Sequence, residues 1–203
     1  RIDLGQNIRS GAHTTPFVCA DLDGDGCAEL MVKTAPGTVD GVGDWVLLEG
    51  DDPHASYVNA KGHIASGPEY ITVFRGTDGK QLHTLPYHTD YAAGLPYWGD
   101  HKQNRSDRYL ACPARLDGSH TSAIFARGYY AGDFVGAYDF DGSHMSLRWL
   151  HRSTESGSGL WGEGAHNIIS ADVDDDGRDE IIFGSAALDH DGSLLYRTGM
   201  GHG

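Results

Sequence analysis

Short apolar runs separated by Asp- and Gly-rich breaks set the pattern of this chain. HTTPFVCADLDGDGCAE, from His13 to Glu29, begins at His, crosses an apolar stretch, enters an Asp-rich turn and leaves at Glu. HNIISADVDDDGRDE, from His166 to Glu180, repeats that order. Each is followed by a second apolar run, Leu30 to Lys33 and Ile181 to Phe183. Runs this short, bounded by Gly and Asp, predict strands. A second pair follows in each unit: Tyr70 to Phe74 and Gln81 to Leu85 around Thr77-Asp78-Gly79, and Ala186 to Leu188 and Ser193 to Tyr196 around Asp191-Gly192. Asp-Gly between two such runs is a strong hairpin signal. A middle unit, without the full acidic loop, predicts strands over Arg108 to Leu116, Ala123 to Arg127, Val135 to Phe140 and Met145 to Leu150.

Four antiparallel strands repeated in series predict an all-β chain made of propeller blades. The blades fall over about 11–90, 105–151 and 163–199, within one unit covering 1–203. Residues 1–4 read as the outer strand of a preceding blade, and 199–203 as the entry to a following one. An open β-sandwich is the rival architecture, disfavoured because the units keep one strand order. Propellers close with roughly four to eight blades, so three blades predict a partial ring with open sheet edges. Those edges call for missing blades or self-association.

Composition narrows the class. With 29 glycines and 39% hydrophobic residues, the chain suits strands and tight turns better than a helical bundle. No apolar run has the length of a membrane span. A formal charge of −14 argues against nucleic acid, which needs clustered Lys and Arg. The chain opens on Arg1, so the lack of a visible leader carries no weight. Cys19, Cys27 and Cys112 have no metal-binding spacing and read as small buried hydrophobes, or at most one disulfide and a thiol.

The acidic loops carry the clearest chemistry. Asp21, Asp23, Asp25 and Glu29 occupy positions one, three, five and nine of a tight turn, and Asp172, Asp174, Asp176 and Glu180 repeat the spacing. Alternate carboxylates aim at one centre, the carbonyls of Cys27 and Arg178 at position seven can add an oxygen, and Gly26 and Gly177 allow the bend. Oxygen donors in this number select a hard cation, so two or more Ca²⁺ ions are expected, each stapling a hairpin. These loops fall on one rim of a blade. The long loops 36–68, 88–106 and 152–165 fall on the other, which is where long loops usually carry function. That rim holds His13 and His166, Lys33, Arg127-Gly128-Tyr129-Tyr130, and the segment YWGDHKQNRSDR with Trp98, Arg105 and Arg108. Aromatic and fixed polar groups together suit sugars, and Arg or Lys suits an anionic one.

Strings such as DLDGDGCAEL, SGPEYITVFRGTDGK, WGDHKQNRSDRYLA, FARGYYAG and GEGAHNIISADVDDDGRDEIIFGS resemble, along the whole chain, the middle part of rhamnogalacturonan lyases of polysaccharide lyase family 11. The resemblance implies three blades of an eight-bladed, calcium-rich propeller, secreted, extracellular or periplasmic. Its implied substrate is an acidic polysaccharide, the rhamnose–galacturonate backbone of pectin, rhamnogalacturonan I. The implied reaction is β-elimination, in which a neutralised uronate carboxylate lets a base take the adjacent proton while the glycosidic oxygen leaves. Lys33, Arg108, Arg127 and His166 are the catalytic candidates, and Trp98, Arg105 and Tyr129 the substrate-binding ones. The resemblance also suggests His166 and His202 beside a calcium ion. Asp175 departs from the family, which usually has Gly there, and the 86–96 loop is unusual. The alternative is a non-enzymatic, calcium-stabilised propeller module that binds carbohydrate or protein, or a purely structural piece.

Overall fold

The computed structural model describes residues 1–89, 91–102 and 104–202. Positions 90 and 103 of the long 88–106 loop, and 203, lie outside the described residues. Among the described residues, twelve strands form three four-stranded antiparallel sheets, each in simple sequence order. The first comprises β1 (Phe17–Ala20), β2 (Glu29–Thr34), β3 (Tyr70–Arg75) and β4 (Gln81–Pro86). The second comprises β5 (Tyr109–Ala114), β6 (Ser122–Arg127), β7 (Asp133–Phe140) and β8 (Met145–Ser153). The third comprises β9 (Ile169–Ala171), β10 (Glu180–Phe183), β11 (Ala186–Leu188) and β12 (Leu194–Arg197). The leading strands β1, β5 and β9 approach one another in succession. Among the described residues no helix is long and apolar enough to cross a membrane.

The pleat explains the packing. Successive side chains in a strand point to opposite faces. In β6, Ala123 and Phe125 join a core with Met31, Ile71 and Val73 of the first sheet. Ile124 and Ala126, between them, join a core with Ile181 and Phe183 of the third. The second sheet is thus sandwiched, and every residue of β6 is buried. The first sheet's other face carries a smaller cluster of Val32, Val46 and Phe74. Across it, Thr34, Thr72 and Thr84 form a hydroxyl ladder at 2.7 and 2.9 Å.

Several details differ from the sequence reading. Residues 1–4 form no strand: Asp3 makes one antiparallel bridge to Val39, in the 36–68 loop. Residues 199–202 fold back onto the third sheet, where the Ser185 hydroxyl donates to the Gly201 carbonyl at 2.9 Å. Cys19 and Cys27 are exposed, Cys112 alone is buried, and all three are free thiols.

Candidate functional site

The two acidic loops have nearly the same wiring. Asp21 accepts from the Gly24 and Gly26 amides at 2.8 and 3.0 Å, and Asp172 from the Asp176 and Gly177 amides at 3.1 and 2.9 Å. Glu29 and Glu180 close the loops by accepting from the Leu22 and Val173 amides at 3.0 and 2.8 Å. Gly26 and Gly177 take φ of +89° and +88°. The fourth position is left-handed in both, as Gly24 at φ +79° and as Asp175 at φ +61°.

Carboxylate oxygens of Asp21, Asp23 and Glu29 converge within 4.8 Å, and so do those of Asp172, Asp174 and Glu180. Glu180 is fully buried and its Oε1 has no hydrogen-bond partner. Burial, countered in part by the loop amide, pushes both Glu carboxyls above their usual range, and the neighbouring aspartates add to the effect. Such an all-oxygen set with an orphaned buried donor fits a hard cation. Asp25 stands outside the first group and accepts from the Cys27 amide at 2.7 Å. Asp176 accepts from the Arg178 amide at 2.8 Å and also groups with Glu180 and His190, which sequence reading did not single out.

The opposite end gathers rings and guanidinium groups. His13 precedes β1, His166 precedes β9, and His202 arrives on the segment that folds back. Their centroids lie 5.2 Å (His13–His166) and 5.1 Å (His166–His202) apart. Tyr129 and Tyr130 follow β6, and their hydroxyls lie 3.3 Å from Nδ1 and Nε2 of His166 respectively. His202 Nδ1 lies 2.7 Å from the Gly164 carbonyl, so Nδ1 carries a hydrogen and donates it there. Loss of water to the surrounding rings, then His202, His13 and Arg108, lowers the pKa of His166. The shift favours the neutral form of the ring.

Arg105 stacks on Tyr130, with the guanidinium 4.4 Å from the ring centroid. Asp100 builds the turn that presents it, accepting from the amides of Lys102, Arg105 and Ser106 and the Ser106 hydroxyl. Burial opposes its charge, but these donors outweigh it and hold the carboxyl well below the usual range. Arg108 is held by Asn104 Oδ1 at 2.6 Å.

Of the sequence-predicted residues, Arg105, Arg108, His166 and His202 therefore stand together, joined by His13 and Tyr130, while Tyr129, read from sequence as substrate-binding, is fully buried in the core and meets the cluster through its hydroxyl. Lys33, Arg127 and Trp98 are buried instead, at 6%, 0% and 2% exposure. Their hub is Glu69, a residue with no sequence signal beyond preceding a strand. Lys33 Nζ lies 2.5 Å from Glu69 Oε1, and Arg127 donates to Oε2 at 2.9 Å. The Tyr109 hydroxyl also donates to Oε1, at 2.9 Å. Arg127 packs over the Trp98 ring, 4.8 Å from its centroid, so that indole backs a buried cation.

All of residues 1–203 match the profile of the rhamnogalacturonan lyase family 11 C-terminal domain. The chain is 49% identical over 204 residues to rhamnogalacturonan exolyase YesX and 50% identical over 205 residues to rhamnogalacturonan endolyase YesW, both of Bacillus subtilis strain 168. Each comparison covers the whole chain but 32% of the relative, so the chain spans about a third of their length. The crystal structure of YesX superposes with a TM-score of 0.92, and the Bacillus licheniformis rhamnogalacturonan lyase PL11 with 0.93 at 48% identity. These cover the whole chain and 33% and 34% of those structures. The chain belongs to rhamnogalacturonan lyase family 11, as its C-terminal domain.

Proposed function

We propose that this chain is a calcium-stapled set of three propeller blades from a secreted lyase that cleaves rhamnogalacturonan by β-elimination. The observation that supports this most is the match to family lyases along all 203 residues, at about half identity. The polysaccharide is read as lying on the His13–His166–His202 rim. There Arg105 and Arg108 offset the uronate carboxylate, Tyr129 and Tyr130 hold His166, and neutral His166 is the group suited to accept the proton. Lys33, Arg127 and Trp98 brace the rim from below through Glu69.

Calcium is proposed for Asp21, Asp23 and Glu29 and for Asp172, Asp174 and Glu180, with Asp25, Asp176 and the carbonyls of Cys27 and Arg178 as further donors. When bound, the ions neutralise the loops and lock the hairpins; the rim chemistry lies at the other end of the sheets. The exposed outer faces, with Phe17 at 60% and Tyr196 at 45%, suit further blades or a second copy of the chain.

An unsaturated uronate absorbs ultraviolet light, so rhamnogalacturonan incubated with the protein and calcium is expected to gain absorbance, and with His166→Ala much less. A chain that binds the polymer without any gain would favour the second reading, a binding module. The burial of Lys33 and Arg127 against Glu69 supports that alternative, since neither is free to meet a substrate.

A further inference from the structure

His202 reaches the rim on 198–202, a stretch that follows β12 and forms no strand. Three contacts hold that stretch directly. The Thr198 amide donates to the Ser185 carbonyl at 3.0 Å. The Ser185 hydroxyl lies 2.9 Å from the Gly201 carbonyl. His202 Nδ1 donates to the Gly164 carbonyl at 2.7 Å. A fourth holds its root: Arg197, the last residue of β12, donates to Glu163 Oε1 at 2.8 Å.

Glu163 is the hub of these contacts, and it is buried. Its amide donates to the Leu160 carbonyl at 2.9 Å, and its carbonyl accepts the Ser185 amide at 2.8 Å. Its Oε2 lies 2.6 Å from the Ser185 hydroxyl. That hydroxyl has one proton and three acceptors, since the Glu163 carbonyl is also 3.1 Å away, so the proton is shared among them. Bonds from Arg197 and Ser185 to a carboxylate are charge-assisted and short. Burial opposes the charge, but Ser185 and Arg197 outweigh it and hold the carboxyl below its usual range. The main chain around Glu163 is closely packed. A Cβ on Gly164 would fall 2.7 Å from the Phe183 ring, and one on Gly184 2.7 Å from the Ala165 nitrogen.

We infer that Glu163 is a positioning residue which, with Ser185 and Arg197, latches 198–202 so that the His202 ring is set in the rim. One carboxylate controls both halves of the contact. Glu163 directly precedes Gly164, whose carbonyl receives the imidazole. Through Arg197 and Ser185 it also holds both ends of the segment that delivers the imidazole, at the end of β12 and at Gly201. The result is a fixed ring. His202 lies parallel to Tyr129, with an interplanar angle of 8° and centroids 5.7 Å apart, and its centroid is 4.4 Å from that of Tyr130. The Gly164 carbonyl keeps the hydrogen on Nδ1. Loosening 198–202 releases the stacking and the Nδ1 hydrogen bond together. The latch belongs to the chain alone, while its bearing on polysaccharide binding rests on the function proposed above.

Glu163→Gln keeps the size of the side chain and removes its charge. Ser185→Ala is the gentler variant, since it deletes one hydroxyl and leaves the Glu163–Arg197 pair. Long-range proton–nitrogen NMR of the imidazoles, without substrate, is expected to show a hydrogen fixed on His202 Nδ1 in the wild type. In both variants that signal should move toward the average of a freely exchanging ring, further in Glu163→Gln, while His13 stays as it was. Affinity for rhamnogalacturonan oligosaccharides should fall several-fold in the same order. A His202 signal unchanged in Ser185→Ala and in folded Glu163→Gln would overturn the latch. So would equal movement of His13 and His202, which marks general loosening instead of positioning. A released His202 with unchanged oligosaccharide affinity would uphold the latch and count against the rim as the polysaccharide site. Absence of binding by all three proteins would count against the proposed function, and the imidazole signals would still decide the latch.

Discussion

Glu69 stays ionised in a buried position because two cations meet it. Burial pushes its carboxyl up, and Lys33 and Arg127 outweigh that and hold it below the usual range. A depressed value means that this contribution is present above the ordinary carboxylate range and is lost as pH falls through the folded value. Acid denaturation followed by circular dichroism should therefore begin at higher pH in Arg127→Met than in the wild type. Breaking one side of a buried pair costs about 3–5 kcal/mol, so urea denaturation of that variant should show a loss of this order. Asp175 presents a backbone cost instead. A β-branched residue at its left-handed φ is disfavoured by about 1–2 kcal/mol, so Asp175→Val should lower thermal stability, while Asp175→Gly should differ little from the wild type.

At the level of elements, the strands were legible because alternation and Asp-Gly turns are local signals. Ala186–Leu188 forms a strand with the bounds read from sequence, and the acidic spacing located both groups of converging carboxylates. Burial of the strand-end cations was not legible. Lys33 and Arg127 look like rim residues until Glu69, distant in sequence, is brought between them by the packing of the first two sheets. The gathering of His13, His166 and His202 depended likewise on how the leading strands pack. The loops yield a pH-dependent prediction. Without metal, the raised Glu29 and Glu180 favour folding in acid and oppose it as pH rises. A bound cation reverses this, so calcium should raise the melting temperature more at pH 7 than at pH 5, and Glu180→Gln should lose much of the gain. Differential scanning calorimetry with and without chelator reads both.

Across the whole molecule, two clusters sit at opposite ends of the sheets. The carboxylates of the two acidic loops converge at one end, with His190 beside the second, and His13, His166 and His202 gather with Tyr130, Arg105 and Arg108 at the other. This polarity is the main physical reason to read the chain as a scaffold with one working rim, and it accords with membership of a lyase family. The most direct measurement is residue-resolved NMR during titration with rhamnogalacturonan oligosaccharides in calcium. The account predicts perturbation centred on His13, Arg105, Arg108, Tyr129, Tyr130, His166 and His202, with the acidic loops unchanged. Perturbation confined to the acidic loops, or none at saturating oligosaccharide, would contradict it.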